Sequence, residues 1–298
     1  MTVDQYTFRN PAEMYADFEP KKGFQPEPGL DADLAPKADL GEETYRGTGR
    51  LQGRKALITG GDSGIGAATA IAFAREGADV AISYLPEEEE DASRIAGILR
   101  EAGATVLTIP GDLRDKAYCR ELVAKTVEGL GGLDILVNNG GKQIFHDDIT
   151  TLDDEQFDDT FTTNVDAMFW ITKAAVPHMP GGSAIINTTS IQAYAPSGIL
   201  VDYAATKATI NAFTKGLAEQ LAPKGIRVNA VAPGPIWTPL QVSDGQPQEA
   251  IPEFGEQTAI GRAGQPAELA PAYVFLASAE SSYVIGETLN VNGGMPTP

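Results

Sequence analysis

Tyr203 and Lys207, in the sequence Tyr-Ala-Ala-Thr-Lys, have residue types and a spacing that suit proton transfer. Residues four apart lie on one face of a helix, so the two side chains would lie close together. A free tyrosine has a pKa near ~10 and exchanges protons poorly at neutral pH. A lysine one turn away stabilises the phenolate and lowers that pKa, as general acid–base catalysis requires. The pair predicts a catalytic tyrosine, although many helices contain this spacing by chance.

Ser190 supplies a hydroxyl shortly before this pair, at the end of the run 183–188, SAIINT. The apolar run predicts a strand, and ligands of open α/β sheets bind outside the carboxyl ends of the strands. We therefore expect Ser190 at the edge of the sheet where a ligand would bind.

A glycine-rich turn, TGGDSGIG at 59–66, follows the first predicted strand and leads into a helical stretch. Such a turn presents free backbone N–H groups and the positive end of the helix dipole. Glycines let a pyrophosphate approach the backbone closely. The spacing is GxxxGxG, a weak signal alone, but its place between strand and helix predicts a dinucleotide site. The alternative is a tight turn without a ligand.

Short apolar runs alternate with helical stretches from residue 55 onward. The predicted strands are 55–59, 79–83, 105–109, 134–138, 183–188, 226–232 and 288–291. The predicted helices include 66–78, 87–103, 154–179 and 202–225. This alternation indicates a parallel sheet covered on both faces, and right-handed crossovers make it a doubly wound, Rossmann-type α/β fold of about seven strands. We expect one such domain over 51–298.

Residues 1–50 differ from the rest, being rich in Pro, Gly and acidic residues with scattered aromatics. Purely disordered tails usually contain few aromatics. We expect an irregular arm that lies on the domain or reaches a neighbouring subunit, with a mobile tail as the alternative.

The composition excludes several classes of protein. The 22 basic and 41 acidic residues give a net charge of −19, which disfavours nucleic acid, anionic membranes and acidic protein partners. One cysteine and two histidines cannot build a disulfide scaffold or a Cys/His metal cluster. The N-terminus lacks the pattern of a signal peptide, and no apolar run is long enough to span a membrane. These features favour a cytoplasmic protein without a metal site.

The motifs form an ordered set along the chain. They are TGGDSGIG, Asn138-Asn139-Gly140-Gly141, Asn164 in TTNV, Ser190, the Tyr203/Lys207 pair and Pro233-Gly234-Pro235-Ile236-Trp237-Thr238. Together they resemble the single-domain short-chain dehydrogenases/reductases across about residues 51–294. The arm, YLPEEEEDA, SIQAY and APGPIWTPLQ resemble a bacterial branch described as glucose/ribitol-dehydrogenase-like or aldehyde-reductase-like, often as general-stress oxidoreductases.

The resemblance implies a set of catalytic roles. Tyr203 would exchange a proton with the substrate oxygen, and Lys207 would lower the pKa of Tyr203 and hold the nicotinamide ribose. Ser190 would hydrogen-bond the substrate oxygen. Asn164 would anchor a water that links Lys207 to solvent. The hydride chemistry belongs to an NAD or NADP cofactor.

The resemblance also implies the cofactor-binding residues. They are Gly60, Asp62, Ser63, Gly64, Ile65, Gly66, Tyr84, Leu85, Asp112, Leu113, Asn139, Gly140, Gly141, Thr188, Tyr203, Lys207, Pro233, Gly234, Ile236 and Thr238. The end of the second strand lacks both the acid typical of NAD enzymes and the arginine typical of NADP enzymes. Asp62 and the acidic run 87–90 disfavour an added phosphate on Coulomb grounds, so NAD is favoured. Gly140 stands where the family usually has Ala, and we expect only local flexibility from it.

The region 239–262 predicts a mobile loop over the substrate, with Gln143, Gln192 and Trp237 as candidate substrate contacts. The resemblance further implies a homotetramer, and the substrate would be a small aldehyde, sugar or polyol. A 3-oxoacyl-carrier-protein reductase shares every motif, but the acidic charge disfavours its docking to an acidic carrier. A cofactor-binding sensor without turnover is the third reading, which the complete Asn–Ser–Tyr–Lys set disfavours.

Overall fold

The computed structural model describes residues 4–297 and contains one parallel sheet of seven strands. The strands are β1 (Lys55–Thr59), β2 (Asp79–Tyr84), β3 (Val106–Pro110), β4 (Ile135–Asn138), β5 (Ala184–Thr188), β6 (Arg227–Pro233) and β7 (Thr288–Val291). All seven predicted strands are confirmed, and each end lies within one residue of its predicted position. Their continuous apolar runs fit a sheet buried on both faces, since all residues of β5 and β6 are buried.

The strand order is β3-β2-β1-β4-β5-β6-β7, so the doubly wound fold is confirmed. β1 pairs with β2 on one side and with β4 on the other. The chain therefore reverses its winding direction between β1 and β4. This reversal leaves a crevice beyond the carboxyl ends of these two strands, where ligands bind in folds of this kind.

Helices cover both faces of the sheet. They are α1 (Gly64–Arg75), α2 (Glu89–Glu101), α3 (Lys116–Leu130), α4 (Asp154–Phe161), α5 (Ala167–Ala175), α6 (Val201–Leu221) and α7 (Pro266–Ala277). Helices α1, α2 and α7 contribute to the apolar core on one face, and α3, α5 and α6 to the core on the other. Alternate strand residues face the two layers, as Leu57 and Ile58 of β1 do.

One predicted helix differs from the structure. The stretch 154–179 is not one α-helix, because a π-helical turn, Thr162–Asp166, separates α4 from α5. Thr162, Thr163 and Val165 in this turn are β-branched, and such residues have restricted side-chain rotamers in regular helix. Turns of this kind often lie at functional sites, and this one contains Asn164.

The arm, of which the structure describes residues 4–50, lies on the domain. Apart from a short 3-10 turn, Asp31–Asp33, it is irregular. Leu34 and Leu40 are buried in the same apolar core as α1 and α7. Residues 1–3 of the expected arm and residue 298 of the expected domain lie outside the described residues.

A buried glutamate joins the arm to the end of α1. Glu76 accepts hydrogen bonds from Arg50, from the hydroxyl of Tyr45 at 2.8 Å and from the backbone N–H of Thr48 at 2.8 Å. Burial would raise the pKa of Glu76, but these donors outweigh it and hold the pKa at about 2. The arm is thus fixed to the domain by a fully hydrogen-bonded carboxylate.

Candidate active site

The turn between β1 and α1 has the backbone that an anion requires. Gly60 and Gly64 both have positive φ, at 59° and 49°, a conformation that favours glycine. Ser63 precedes α1, but its side chain does not cap the helix. The backbone N–H groups in the first turn of α1 are therefore free to donate to a ligand. Gly66 has a packing role, because an added Cβ there would lie 1.8 Å from the carbonyl oxygen of Gly60.

Residues after β4 support this turn from the neighbouring strand. The Asn139 side chain donates to the carbonyl oxygens of Thr59 and Gly60, both at 3.1 Å. The Thr59 hydroxyl in turn accepts the backbone N–H groups of Asn139 and Gly140. An added Cβ at Gly140 would lie 2.7 Å from Leu113 Cδ1, which explains a glycine at this position. Asn139 therefore stabilises the backbone conformation of the turn.

A cavity of about 610 Å³ lies beyond the carboxyl ends of β1, β2 and β4. The expected cofactor residues that line it are Gly60, Asp62, Ser63, Gly64, Ile65, Tyr84, Leu85, Asp112, Leu113, Asn139, Gly140, Gly141 and Thr238. The remaining expected cofactor residues, Gly66, Thr188, Tyr203, Lys207, Pro233, Gly234 and Ile236, do not line this cavity. We call this cavity the adenosine end and the region of Tyr203 the catalytic end.

The adenosine end is acidic. Asp62 is buried, and its Oδ2 atom has no hydrogen-bond partner among the described residues. Burial raises the pKa of Asp62 well above its ordinary value, and repulsion from Glu88 adds to the effect. Burial likewise raises the pKa of Glu88 to about 7, opposed by its hydrogen bond from the Leu85 N–H. A buried acceptor without a donor fits a ligand that brings hydroxyl groups.

Two cations line this cavity within residues 4–297, and both are paired with carboxylates. Arg114 contacts Asp112 and Asp159, each at 2.7 Å. Lys142 Nζ lies 2.9 Å from Oε2 of Glu27, a residue of the arm. Glu27 and Pro28 also line the cavity, so the arm forms part of its wall.

The catalytic end brings Tyr203, Lys207 and Ser190 together. Lys207 Nζ donates to the Thr188 carbonyl oxygen at 3.0 Å and lies 5.2 Å from the centroid of the Tyr203 ring. Ser190 begins a short 3-10 turn just after β5, as its expected place at the sheet edge requires. The Thr188 hydroxyl contacts that of Tyr273 at 2.7 Å, so Thr188 acts here through its carbonyl.

The protonation of the catalytic pair is set by burial. Tyr203 is 7% exposed, and burial raises its pKa to about 12, opposed by a hydrogen bond with Ser190. Burial lowers the pKa of Lys207 to about 8. The direction for Tyr203 is opposite to the one expected from the sequence, because in this arrangement burial outweighs the effect of its neighbours. The phenol is therefore held as a proton donor.

Asn164 lies in the π-helical turn and binds the backbone on which the site is built. Its side chain accepts the Lys142 N–H at 2.7 Å and donates to the Lys142 carbonyl at 2.9 Å. It also donates to the Thr206 hydroxyl at 3.1 Å. An added Cβ at Gly141 would lie 3.2 Å from Asn164 Oδ1 and 3.6 Å from Lys207 Nζ. Asn164 and Lys207 thus converge on Gly141.

The segment after β6 closes over the glycine-rich turn. An added Cβ at Gly64 would lie 2.9 Å from Thr238 Cγ2. Gly234 packs against the backbone of Asn292, and Ile236 is buried beside Gly264. Pro233 ends β6 and Gly234 follows it, so both position this segment at the sheet edge.

Trp237, one of the candidate substrate contacts, lies in the core between the arm and the domain. The side chain is 0% exposed and packs between Phe18 of the arm and Phe254. Its Nε1 donates to the carbonyl oxygen of Pro36 at 2.8 Å. A large aromatic side chain with a satisfied N–H stabilises the core where arm and domain meet.

Gln143 and Gln192, the other two candidate substrate contacts, each make a side-chain hydrogen bond within the protein. Gln143 is buried, and its Nε2 donates to the Gly245 carbonyl at 2.6 Å. The Gln192 Oε1 accepts the Ser197 N–H at 2.6 Å. Both residues lie beside the catalytic end, where they shape the loops that enclose it.

Glu27, Pro28 and Tyr273 are among the residues of the site that sequence reasoning missed. Their contacts depend on the long-range packing of the arm and of α7, and no local pattern indicates them. In residues 4–297, His, Cys, Asp and Glu form no group of three or more that could hold a metal ion. None of the helices in this range is long and apolar enough to cross a membrane.

The geometry fits a dinucleotide cofactor. The free N–H groups of α1 would hold its pyrophosphate, and Asp62 offers its buried oxygen to a ribose hydroxyl. Lys207 lies at the opposite end, beside the phenol.

Comparisons with known proteins identify the family of this chain. A family model described as Enoyl-(Acyl carrier protein) reductase matches residues 60–296. The chain is 58% identical over 286 residues to the Escherichia coli (strain K12) protein "Uncharacterized oxidoreductase YghA", covering 96% of this chain and 97% of that protein. It is 43% identical over 282 residues to "Glucose and ribitol dehydrogenase" of Daucus carota, covering 93% and 96%.

A solved structure has the same fold. The crystal structure of a short chain dehydrogenase from Burkholderia cenocepacia J2315 in complex with NADP is 36% identical, with a TM-score of 0.77. The match covers 82% of this chain and 98% of that one. On its ordered motifs, its doubly wound sheet and these matches, the chain belongs to the short-chain dehydrogenase/reductase family of oxidoreductases.

Proposed function

We propose that Tyr203, Lys207, Ser190 and Asn164 form the active site of an NAD(P)-dependent oxidoreductase that interconverts a small carbonyl compound and its alcohol. The observation that carries this proposal is the convergence of a buried phenol and a buried ammonium, 5.2 Å from ring centroid to Nζ, at the carboxyl edge of the sheet. The adjoining cavity has the glycine-rich turn that a dinucleotide needs.

The chain's own groups perform the proton transfer. In reduction, the Tyr203 phenol donates its proton to the substrate oxygen, and the Ser190 hydroxyl hydrogen-bonds the same oxygen. Lys207, held by the Thr188 carbonyl at 3.0 Å, stabilises the phenolate left behind. When bound, the nicotinamide cofactor supplies or accepts the hydride.

The enclosure of the catalytic end favours a small substrate. Tyr203 and Ser190 are 7% and 6% exposed, so a reacting carbonyl must enter a narrow space. An aldehyde, a sugar in its open form or a polyol presents a compact reacting group of this kind. The name of the Daucus carota relative, a glucose and ribitol dehydrogenase, supports sugars and polyols.

We further propose a preference for NAD over NADP. Asp62, Glu87 and Glu88 line the adenosine end, and surroundings that raise the pKa of Asp62 and Glu88 also disfavour the negative charge of a 2′-phosphate. The two cations of the lining are already paired with Glu27, Asp112 and Asp159. The NADP bound to the Burkholderia cenocepacia protein argues the other way, so the preference needs a direct measurement.

Titration of the purified protein with NADH and NADPH, followed by turnover assays on aldehydes, ketones and sugars, tests both statements. We expect binding of NADH with the lower Kd and turnover on at least one class. Tight binding without turnover would favour a sensor, and absence of binding would refute the interpretation of the turn 60–66. A lower Kd for NADPH would refute only the preference for NAD.

A reductase acting on acyl groups of a carrier protein is the second candidate, because the matching family model has such a description. An acidic carrier needs basic residues at the mouth of the site, whereas Arg114 and Lys142 are paired and the chain has a net charge of −19. Assays with an acyl-carrier substrate at high enzyme concentration decide between the two, and we expect no turnover.

The assembly and the location are separate proposals. Exposed Phe157 and Phe169, together with Tyr283 and Ile285, offer apolar surface for a homotetramer. Light scattering of the purified protein tests this assembly, and a monomer would contradict it. The cytoplasmic location stays a prediction from the sequence, and cell fractionation tests it.

A further inference from the structure

The ion pair between Lys142 and Glu27 lies in the wall of the adenosine end and joins the arm to the sheet edge. Lys142 follows β4 in the chain, and Glu27 comes from the arm, more than a hundred residues earlier. The Lys142 side chain is 17% exposed and that of Glu27 is 42% exposed. Both residues line the cavity together with Gly60, Ser63 and Gly64 of the turn.

The cavity lining contains more acidic than basic side chains, and its basic side chains are already in ion pairs. Five carboxyl groups line the cavity in the described chain: Glu27, Asp62, Glu87, Glu88 and Asp112. The raised pKa values of Asp62 and Glu88 reduce the negative charge of these two groups. A pyrophosphate brings two further negative charges, which such a lining would repel unless a cation faces them. Arg114 is held by two carboxylates of the domain, at 2.7 Å each. Lys142 has one carboxylate partner, and that partner belongs to the arm.

Lys142 can change partner without moving its backbone. The Asn164 side chain holds both the N–H and the carbonyl of Lys142, at 2.7 and 2.9 Å. Its ammonium, on a flexible four-carbon stem with three donors, can rotate from one anion to another. The exchange therefore leaves the catalytic framework around Asn164 in place.

We infer that Lys142 binds the pyrophosphate of the dinucleotide and exchanges Glu27 for it, so that the arm and the cofactor compete for one ammonium. This inference rests on the proposed function, since it presumes a dinucleotide in the cavity. Binding of the cofactor would release Glu27 from its partner. Hydrogen bonds from the Gly23 N–H to Gln248 Oε1 and from the Gln25 N–H to the Val242 carbonyl oxygen, both at 3.1 Å, would still hold this segment to the domain.

Two variants of the full-length protein separate the partners. In Lys142→Met the Kd for NADH should rise about tenfold, because the cation facing the pyrophosphate is gone. In Glu27→Gln the Kd should fall several-fold, because Lys142 no longer needs to leave a carboxylate. The double variant should match Lys142→Met. ADP-ribose, which contains the pyrophosphate, should show the same order of Kd values.

Lys125→Met is the matched control, because Lys125 forms an exposed ion pair with Glu121 at 2.8 Å on α3, away from the cavity lining. It should leave every Kd unchanged. If Lys142→Met fails to fold, Lys142→Gln and the Glu27→Gln result carry the test. An unchanged Kd in the Lys142 variants, or weaker binding in Glu27→Gln, would overturn the inference.

Further outcomes separate this inference from the proposed function. Loss of NADPH binding alone in Lys142→Met would place Lys142 at the 2′-phosphate and overturn the pyrophosphate assignment. If the unchanged protein bound no dinucleotide, the proposed function itself would fail. Normal binding by the unchanged protein and by every variant would refute only the inference about Lys142.

Discussion

Burial favours the neutral form of the ionisable groups at both ends of the cleft, but the consequences for function differ. At the catalytic end, burial raises the pKa of the Tyr203 phenol and lowers that of the Lys207 ammonium, so each group favours its neutral form. At the adenosine end, burial and mutual repulsion raise the pKa values of the Asp62 and Glu88 carboxyls. One end is arranged to move a proton, and the other to discriminate against negative charge.

Glu76 is a buried carboxylate whose oxygens accept hydrogen bonds from several donors, and it can be compared with Asp62. Its pKa is held at about 2 because Arg50, Thr48 and Tyr45 donate hydrogen bonds to it. Asp62 keeps one oxygen without any partner among the described residues. The contrast teaches that the Oδ2 atom of Asp62, which has no partner among the described residues, distinguishes a ligand site from a structural one.

The largest expected effect is confined to the catalytic end. Tyr203→Phe removes the proton donor, so kcat should fall about 10²–10⁴-fold. The Kd for NADH should stay unchanged, since the adenosine end is intact. Steady-state kinetics and a binding titration check both statements. Full turnover in this variant would break the division of the cleft into two ends.

The pH dependence should differ between the two directions of the reaction. Alcohol oxidation needs the phenolate, whose fraction rises about tenfold per pH unit below the pKa of Tyr203, about 12. The rise should weaken above about pH 8, where Lys207 loses its charge. Carbonyl reduction needs the phenol, so its rate should stay nearly flat.

Rates in both directions between pH 6 and 8, at saturating substrate and cofactor, check this prediction. Oxidation should gain about a hundredfold over the two units while reduction changes little. Equal slopes in the two directions would show that another group donates the proton.

The adenosine end should respond to single neutral substitutions. Asp62→Asn should lower the ratio of the NADPH Kd to the NADH Kd by less than about tenfold, because the raised pKa of Asp62 already reduces the negative charge that the substitution removes. Glu88→Gln should act in the same direction. Turnover with NADH at saturation should stay close to normal.

Glu90→Gln is the control for charge, since Glu90 is exposed on α2 and does not line the cavity. Its ratio should equal that of the unchanged protein. A similar shift in the control would show that net charge, and not the lining, sets the cofactor preference.

The smallest effect is expected for a substitution where the arm packs on the domain, because this region belongs to neither end of the cleft. Trp237→Phe removes the hydrogen bond to Pro36 and should cost about 1 kcal/mol of unfolding free energy. Thermal unfolding should show a Tm lower by a few degrees, with kcat unchanged. Trp170→Phe, half-buried on α5 away from the arm, is the comparison. A large loss of kcat in Trp237→Phe would show that Trp237 acts at the substrate site after all.

The sheet could be predicted closely from the sequence because buried parallel strands contain unbroken apolar runs, as residues 56–58 and 135–137 do. The glycine-rich turn and the Tyr203/Lys207 pair were also accessible, since short local spacing encodes them. The turn at Asn164 was not, because one inserted residue in a helix leaves no periodic signal.

The role of the Trp237 side chain could not be predicted from the sequence. An aromatic residue beside a family motif indicates a ligand as readily as a core, and only the position of Phe18 and Pro36 decides between them. The same holds for Glu27, whose contact with Lys142 spans 115 positions of the chain. Contacts of that range depend on the assembled fold and lie beyond any local pattern.

The arm also imposes an order on synthesis. Gly23 hydrogen-bonds Gln248, and Trp237 hydrogen-bonds Pro36, at sequence separations of 225 and 201 residues. A ribosome adding about 5–20 residues per second needs roughly 10–45 s to make that intervening chain. The arm is translated before the residues that it contacts, so it stays undocked until the end of the domain emerges. The wall that Glu27 and Pro28 contribute to the cavity is then among the last parts of the nascent protein to form.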